Sequence, residues 1–186
     1  MALTPSNMLP LGTTAPDFEL IDTISGEKYK LRNDKTSKAT VVMFICNHCK
    51  YVKHINAQIV QIVDKFSPKG VQFIGISSND PEAYPEDSPE NMKIRAKELG
   101  YQFPYLFDET QEVARAFEAA CTPEFYVFDE QLKLVYRGRM DASTPGNNEP
   151  NNGAELRGAL RAILAGDFVS EIQYPGMGCN IKWKQS

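Results

Sequence analysis

The apolar run Val41-Val42-Met43-Phe44-Ile45 passes without a break into Cys46-Asn47-His48-Cys49, and from there into a stretch patterned as a helix, Lys50 to Phe66. The run is β-rich and apolar at every position, which suits a central strand covered on both faces. Beyond it, Val52, Ile55, Ile59, Ile62, Val63 and Phe66 fall on one helical face, with Lys50, Lys53, Gln58, Gln61 and Lys65 mostly on the other. Pro68 and Gly70 end the pattern. Two cysteines three apart at a strand-to-helix junction are the parts of a thiol–disulfide exchange site. One thiolate attacks and the other thiol resolves the mixed disulfide.

The rest of the chain is read around this junction. Residues 1–26 are rich in Pro, Gly and Thr, an irregular entry with a short strand near Phe18-Glu19-Leu20, and Lys28–Leu31 reads as a weak strand. Val71–Ser77 is a second buried strand. Residues 78–88, with two prolines and four acidic residues, read as a solvated surface loop. Ser88-Pro89 opens a helix with Met92, Ala96 and Leu99 on one face, Ile94 off that stripe and Gly100 as its stop. Asp108 with Gln111 resembles a capping box before Val113, Ala114 and Phe117. Glu124–Phe128 and Lys133–Tyr136 form a hairpin, and 141–153 is a loop without core residues. A last helix uses Leu156, Leu160, Ile163 and Leu164 and stops at Gly166. The tail ends in Gly178-Cys179-Asn180-Ile181-Lys182-Trp183, with Trp183 expected to anchor in a groove. Only parallel strand pairs need helical crossovers, so the order implies an α/β fold with a mixed central sheet and helices on both faces.

The length of 186 residues suits one domain with a full core, 1–186. Composition is that of a globular protein, 42% hydrophobic and 24% charged. A net charge of −4 argues against nucleic acid as a partner. There is no apolar run of about 18 residues to span a membrane. Residues 1–12 lack the basic-then-apolar order of a secretion signal, so with Met1 as the start the expectation is a cytoplasmic protein. Four cysteines are too few for a disulfide scaffold at this length.

Cys46 stands at the start of the helix, where unpaired N–H groups and the helix dipole favour an anion. It is therefore expected to be the low-pKa attacking thiol, below the free value of about 8.5. Cys49, a turn further in, is the resolving thiol. His48 between them is expected to stabilise the thiolate, and Lys50 adds positive charge.

These features, with Thr122-Pro123 just before the strand Glu124–Phe128, resemble the thioredoxin-like superfamily. The opening Gly12-Thr13-Thr14-Ala15-Pro16-Asp17-Phe18-Glu19-Leu20 is similar to the entry segment of its AhpC/TSA-type redoxins. The resemblance covers about residues 12–140, and the segment 141–186 adds a loop, a helix and a tail. It implies a thioredoxin-like fold and a cis-proline at Pro123 facing the disulfide. It also implies that Thr122 and Pro123 offer backbone groups to an extended substrate. Departures are specific. Thioredoxins proper carry Trp before the first cysteine, Gly-Pro between the two, and a buried carboxylate six residues upstream. Here these positions hold Ile45, Asn47-His48 and Thr40. The proton-transfer base is then expected among His48, His54 and water. Cys121 and His54 are candidate accessory residues, and Cys179 a candidate resolving thiol.

The expected function is a thiol–disulfide oxidoreductase acting on protein or small-molecule disulfides with a thiol electron donor and no cofactor. A thiol-dependent peroxidase, an antioxidant enzyme, is the alternative. Peroxiredoxins resemble Pro-x-x-x-Thr-x-x-Cys, and neither cysteine has that Thr or Pro upstream. A non-enzymatic metal-binding or redox-sensing module would use Cys46, His48, Cys49 and His54, a set packed into nine residues without the usual separation of zinc ligand pairs.

Overall fold

The computed structural model describes residues 3–31 and 36–185. Met1, on which the reading of the start rests, lies outside them. The first strands are β1 (Leu3–Pro5), β2 (Glu19–Asp22) and β3 (Lys28–Lys30). Next come β4 (Ala39–Phe44), α1 (Lys50–Phe66), β5 (Val71–Ser77), α2 (Pro89–Leu99), β6 (Tyr105–Phe107) and α3 (Glu112–Ala116). The chain ends with β7 (Cys121–Thr122), β8 (Glu124–Asp129), β9 (Leu134–Gly138), α4 (Ala154–Ala165) and β10 (Met177–Asn180).

Among the described residues, seven strands form one sheet in the order β3-β2-β6-β5-β4-β8-β9. β4 runs parallel to β5, and β5 to β6, each pair joined through a helix. β8 and β9 are antiparallel additions on the other side of β4. β4 is buried at every residue, as its uninterrupted apolar run requires. Its side chains alternate. Val41 and Met43 join a core with α1, α2 and α4, whereas Val42 and Phe44 join a second core with α3, Phe18 and Ile181. Helices therefore cover both faces of a mixed sheet, three on one side and the short α3 on the other.

α1 buries Val52, Ile55, Ile59, Ile62, Val63 and Phe66, all expected from spacing. Each such burial contributes about 1.5–3 kcal/mol, more than the ~0.7 kcal/mol or less by which a β-branched residue disfavours a helix. α2 starts as expected, with Ser88 Oγ accepting from Asn91 N at 3.4 Å and Pro89 in the first turn. Gly100 ends it at φ 70°, and Ile94 is 50% exposed. Among the described residues, no helix is long and apolar enough to cross a membrane.

Three expectations are corrected. Asp108 does cap α3, accepting from Ala114 N at 2.9 Å. Gln111, however, does not close a reciprocal box. Its amide donates to Ser78 O at 2.6 Å and Lys182 O at 2.9 Å, tying a loop to the tail. The tail, where no strand was expected, forms one. β10 pairs with β1 on one edge and β7 on the other, a second sheet of three short strands among the described residues. The 78–88 segment is solvated only in part: Glu82, Ala83, Pro85 and Glu86 are exposed, whereas Ser78, Asn79 and Asp87 are buried. Their partners come from distant segments, so local composition gave no sign of it.

Candidate functional site

β4 delivers Ile45 and Cys46 to the top of the sheet, where Ile45 N still donates to Ile76 O at 3.0 Å. The chain then turns through Asn47 and His48, and Cys49 is the N-cap of α1. One side chain holds the turn. Asp87 Oδ1 accepts from the backbone N–H of Asn47 at 2.7 Å and of His48 at 3.1 Å. Asp87 Oδ2 accepts from His48 Nδ1 at 2.5 Å and Asn79 Nδ2 at 2.8 Å. Asp87 is fully buried, so these bonds replace its water. Asn47 adds a strap to Glu86 O at 2.7 Å and accepts from Tyr105 OH at 3.1 Å. His48 stacks on Tyr84, with ring centroids 4.7 Å apart.

Cys46 is 2% exposed and Cys49 fully buried. Cys46 Sγ lies 3.4 Å from Thr122 Oγ1 and 3.9 Å from His48 Nδ1. Cys49 Sγ lies 3.3 Å from Thr122 O and 2.8 Å from Cys179 Sγ. The Thr122–Pro123 peptide bond is cis.

The thiolate sits differently from expectation. Burial, the hydrogen bond to Cys49 and the Asp87 carboxylate push the Cys46 thiol well above its usual range. Cys49 is drawn down to about 4 by its interactions with Cys46, Cys179 and the Val52 N–H, against the opposing effect of burial. Cys46 was expected to gain most from the helix start. That helix begins at Lys50 with Cys49 as its N-cap, so Cys49 and not Cys46 stands at its first turn. Asp87 is also perturbed. Burial opposes its charge, but His48, Asn79 and the Asn47 N–H overcome this and hold its pKa below the ordinary carboxylate value.

The other sequence candidates divide by strand parity. Adjacent residues of a strand face opposite ways. Thr122 faces the cysteine pair, whereas Cys121 Sγ faces Glu124 Oε2, 4.0 Å away, and is not gathered with Cys46. Cys179 lies opposite Thr122 in the β7–β10 pair and shares its face. His54 bonds Ser143 Oγ at 2.7 Å, and its carbonyl accepts from Asn151 Nδ2 at 2.7 Å. It pins the 141–153 loop to α1.

The four donors considered for a metal therefore do not assemble as a set. Among the described residues, the donors that do are Cys46, His48 and Asp87, within 4.8 Å of one another. The His48–Asp87 bond occupies the ring nitrogen that such a site would need.

The sequence model of the AhpC/TSA family matches residues 11–137. The chain belongs to the AhpC/TSA family. This AhpC/TSA protein is similar over its whole length to an uncharacterized conserved protein from Geobacillus kaustophilus. The two share 56% identity at a TM-score of 0.97, covering 100% of this chain and 98% of that one. It is similar to thiol-disulfide oxidoreductase ResA from Geobacillus thermodenitrificans, at 23% identity over 139 residues, 74% of this chain and 75% of the relative. The fold is thioredoxin-like. The thioredoxin domain of a thiol-disulfide oxidoreductase from Bacteroides vulgatus superposes at a TM-score of 0.61 with 18% identity, over 80% of this chain and 96% of that one.

Two site residues of this AhpC/TSA protein escaped sequence reasoning, Asp87 and Asn79. Asp87 is one of four acids in a Pro-rich segment and carries no local mark of burial. The short helical turn Pro85–Asp87 aims it inward. The missing upstream carboxylate, Thr40, was the available hint that a carboxylate had to come from elsewhere.

Proposed function

We propose that the protein is a thiol–disulfide oxidoreductase in which Cys46 attacks and Cys49 resolves. One observation carries the reading: a cysteine pair at the β4–α1 junction, with Thr122 against both sulfurs. Cys46 Sγ attacks a substrate disulfide as its proton passes to the Cys49 thiolate. One substrate sulfur leaves as a thiolate. Cys49 then releases that proton, attacks Cys46 Sγ and closes the 46–49 disulfide, freeing the second substrate thiolate. Two protein sulfurs are oxidised and one substrate disulfide is reduced, and a thiol donor reverses the sequence.

In this scheme Cys49 is the base that accepts the Cys46 proton, the role left open by Thr40. Asp87 is a positioning residue for His48 and the turn. Thr122-Pro123 borders the substrate path. A small cavity of about 50 Å3 beside Pro123, lined by Tyr51, Ile55, Met140 and Met177 among others, suits an apolar side chain of that substrate.

A redox titration in glutathione buffers, with thiol alkylation and mass spectrometry, tests the reading. The expected result is a reversible two-electron transition at Cys46 and Cys49, with exchange activity lost in Cys46→Ser. Retained activity in that variant rejects it. One observation favours the peroxidase alternative: Thr122 Oγ1 brings to Cys46 a hydroxyl that the local sequence lacks. Turnover of hydrogen peroxide by the reduced protein with a thiol donor decides between the two.

A further inference from the structure

We infer that Cys179 is a third redox thiol, which takes the disulfide from Cys46–Cys49 inward as Cys49–Cys179. The inference rests on the exchange reading above and extends it. Cys49 is the middle member of a row of three thiols. It shares Thr122 with Cys46 on one side and stands 2.8 Å from Cys179 Sγ on the other, against about 2.05 Å for a formed disulfide. Cys179 is 2% exposed, as buried as Cys46, and Cys49 is fully buried.

Its position is built rather than incidental. β10 pairs with both β1 and β7, which fixes register and puts Cys179 opposite Thr122. Gly178 lets β10 come this close, because a Cβ there would stand 2.0 Å from Thr122 O. Beyond Cys179 the tail is bolted to the segment that carries Asp87. Lys182 N donates to Asn79 Oδ1 at 2.8 Å, and Asp80 N donates to Lys182 O at 2.9 Å. Asn79 thus links the tail to Asp87, and through it to the 46–49 turn.

The step balances without any added reagent. In the oxidised chain the Cys179 sulfur, as thiolate, attacks Cys49 Sγ. The Cys46–Cys49 bond breaks, the Cys49–Cys179 bond forms, and Cys46 leaves as a thiolate that takes up the proton Cys179 gave. Oxidation level and proton count are unchanged. The chain then holds its oxidising equivalents in a bond covered from solvent, while Cys46 is again a thiol able to form one mixed disulfide.

The experiment oxidises the full-length protein with oxidised glutathione, quenches in acid, alkylates in denaturant and maps the peptides. Trypsin places Cys46 and Cys49 together in residues 39–50 and Cys179 in residues 162–182. The expected result is two species, a looped 39–50 peptide and a 39–50 peptide cross-linked to 162–182. In the second, Cys46 is alkylated and Cys179 is protected. Cys179→Ala should lose the cross-linked species and keep the loop. A loop alone, with Cys179 alkylated throughout in the wild-type chain, overturns the relay and leaves the exchange reading standing. A Cys179 link to Cys121 instead of Cys49 also overturns it. If neither bond forms, both readings are overturned. The wild-type map does not depend on whether the variant folds.

Discussion

Asp87 and Glu124 are both fully buried, and both belong to segments that frame the cysteine pair, yet their carboxyls are pushed in opposite directions. Asp87 receives two backbone N–H groups, the His48 ring and the Asn79 amide. Glu124, the first residue after Pro123, receives Ala120 N at 3.0 Å, Cys121 N at 3.4 Å and Tyr126 OH at 2.8 Å. Burial dominates at Glu124 and raises its pKa, while at Asp87 the donors and the attraction of His48 outweigh burial. Burial alone does not fix the sign. The difference assigns Asp87 to holding the reactive turn as an anion and Glu124 to bracing the strand behind Pro123.

Replacing both carboxylates tests this contrast most directly. Asp87→Ala leaves several buried donors without an acceptor and should cost about 3–5 kcal/mol in urea unfolding. Glu124→Gln keeps an acceptor at a site that disfavours charge and should cost about 1 kcal/mol or less. Equal losses would break the contrast. Disulfide exchange should follow the same order. Asp87→Asn misplaces His48 and the turn and should lower the exchange rate on the order of 10²-fold. Glu124→Gln should leave the rate within a few-fold, and a larger loss there would move Glu124 into the machinery.

Acid unfolding reads the signs. The Asp87 pKa is lowered from 3.8 on folding, so its stabilisation is present above 3.8 and is lost as pH falls through the folded value. The Glu124 pKa is raised from 4.5, so its contribution is full below 4.5 and is lost as pH rises through the folded value. Asp87→Asn should therefore flatten the loss of stability on acidification below pH 3.8, and Glu124→Gln should steepen the acid limb at and above pH 4.5. Slopes of the same sign would contradict the assignment. The smallest effect concerns the thiols. The ultraviolet absorbance of thiolate in the reduced protein should persist down to about pH 4 and vanish in Cys49→Ser. Asp87→Asn removes one of the influences that raise Cys46, after burial and Cys49, and should lower the Cys46 pKa. Persistence of the absorbance in Cys49→Ser would return the thiolate to Cys46.

Legibility from sequence followed the range of the interactions. The 50–66 helix, its buried face, the Ser88-Pro89 start and the Gly100 stop were readable because spacing and capping act within a few residues. The β8–β9 hairpin was readable for the same reason. The three-residue strand β6 and the two-residue β7 were not. Strands that short have no period to detect, and they exist because β5 and β10 pair with them. Cys46, His48, Cys49, Thr122 and Pro123 were found by motif. Cys179 was a candidate without a place, and Asp87 was taken for a solvent-facing acid.

The sequence by itself determined the cysteine pair, the strand and helix that carry it, and the mixed sheet, since apolar periodicity and a two-cysteine motif are properties of the chain read in order. Only the tertiary structure decided what surrounds each thiol. It brought Asp87 across from residue 87 to cap the turn at 47–48, and made Cys49 the N-cap of α1. It also turned Cys179 toward Cys49 and Cys121 away. The physical reason is that a thiol's ionisation and partners depend on burial and on donors within a few ångströms. Two of the groups that shape this site, Asp87 and Cys179, stand 39 and 130 residues from their partners there.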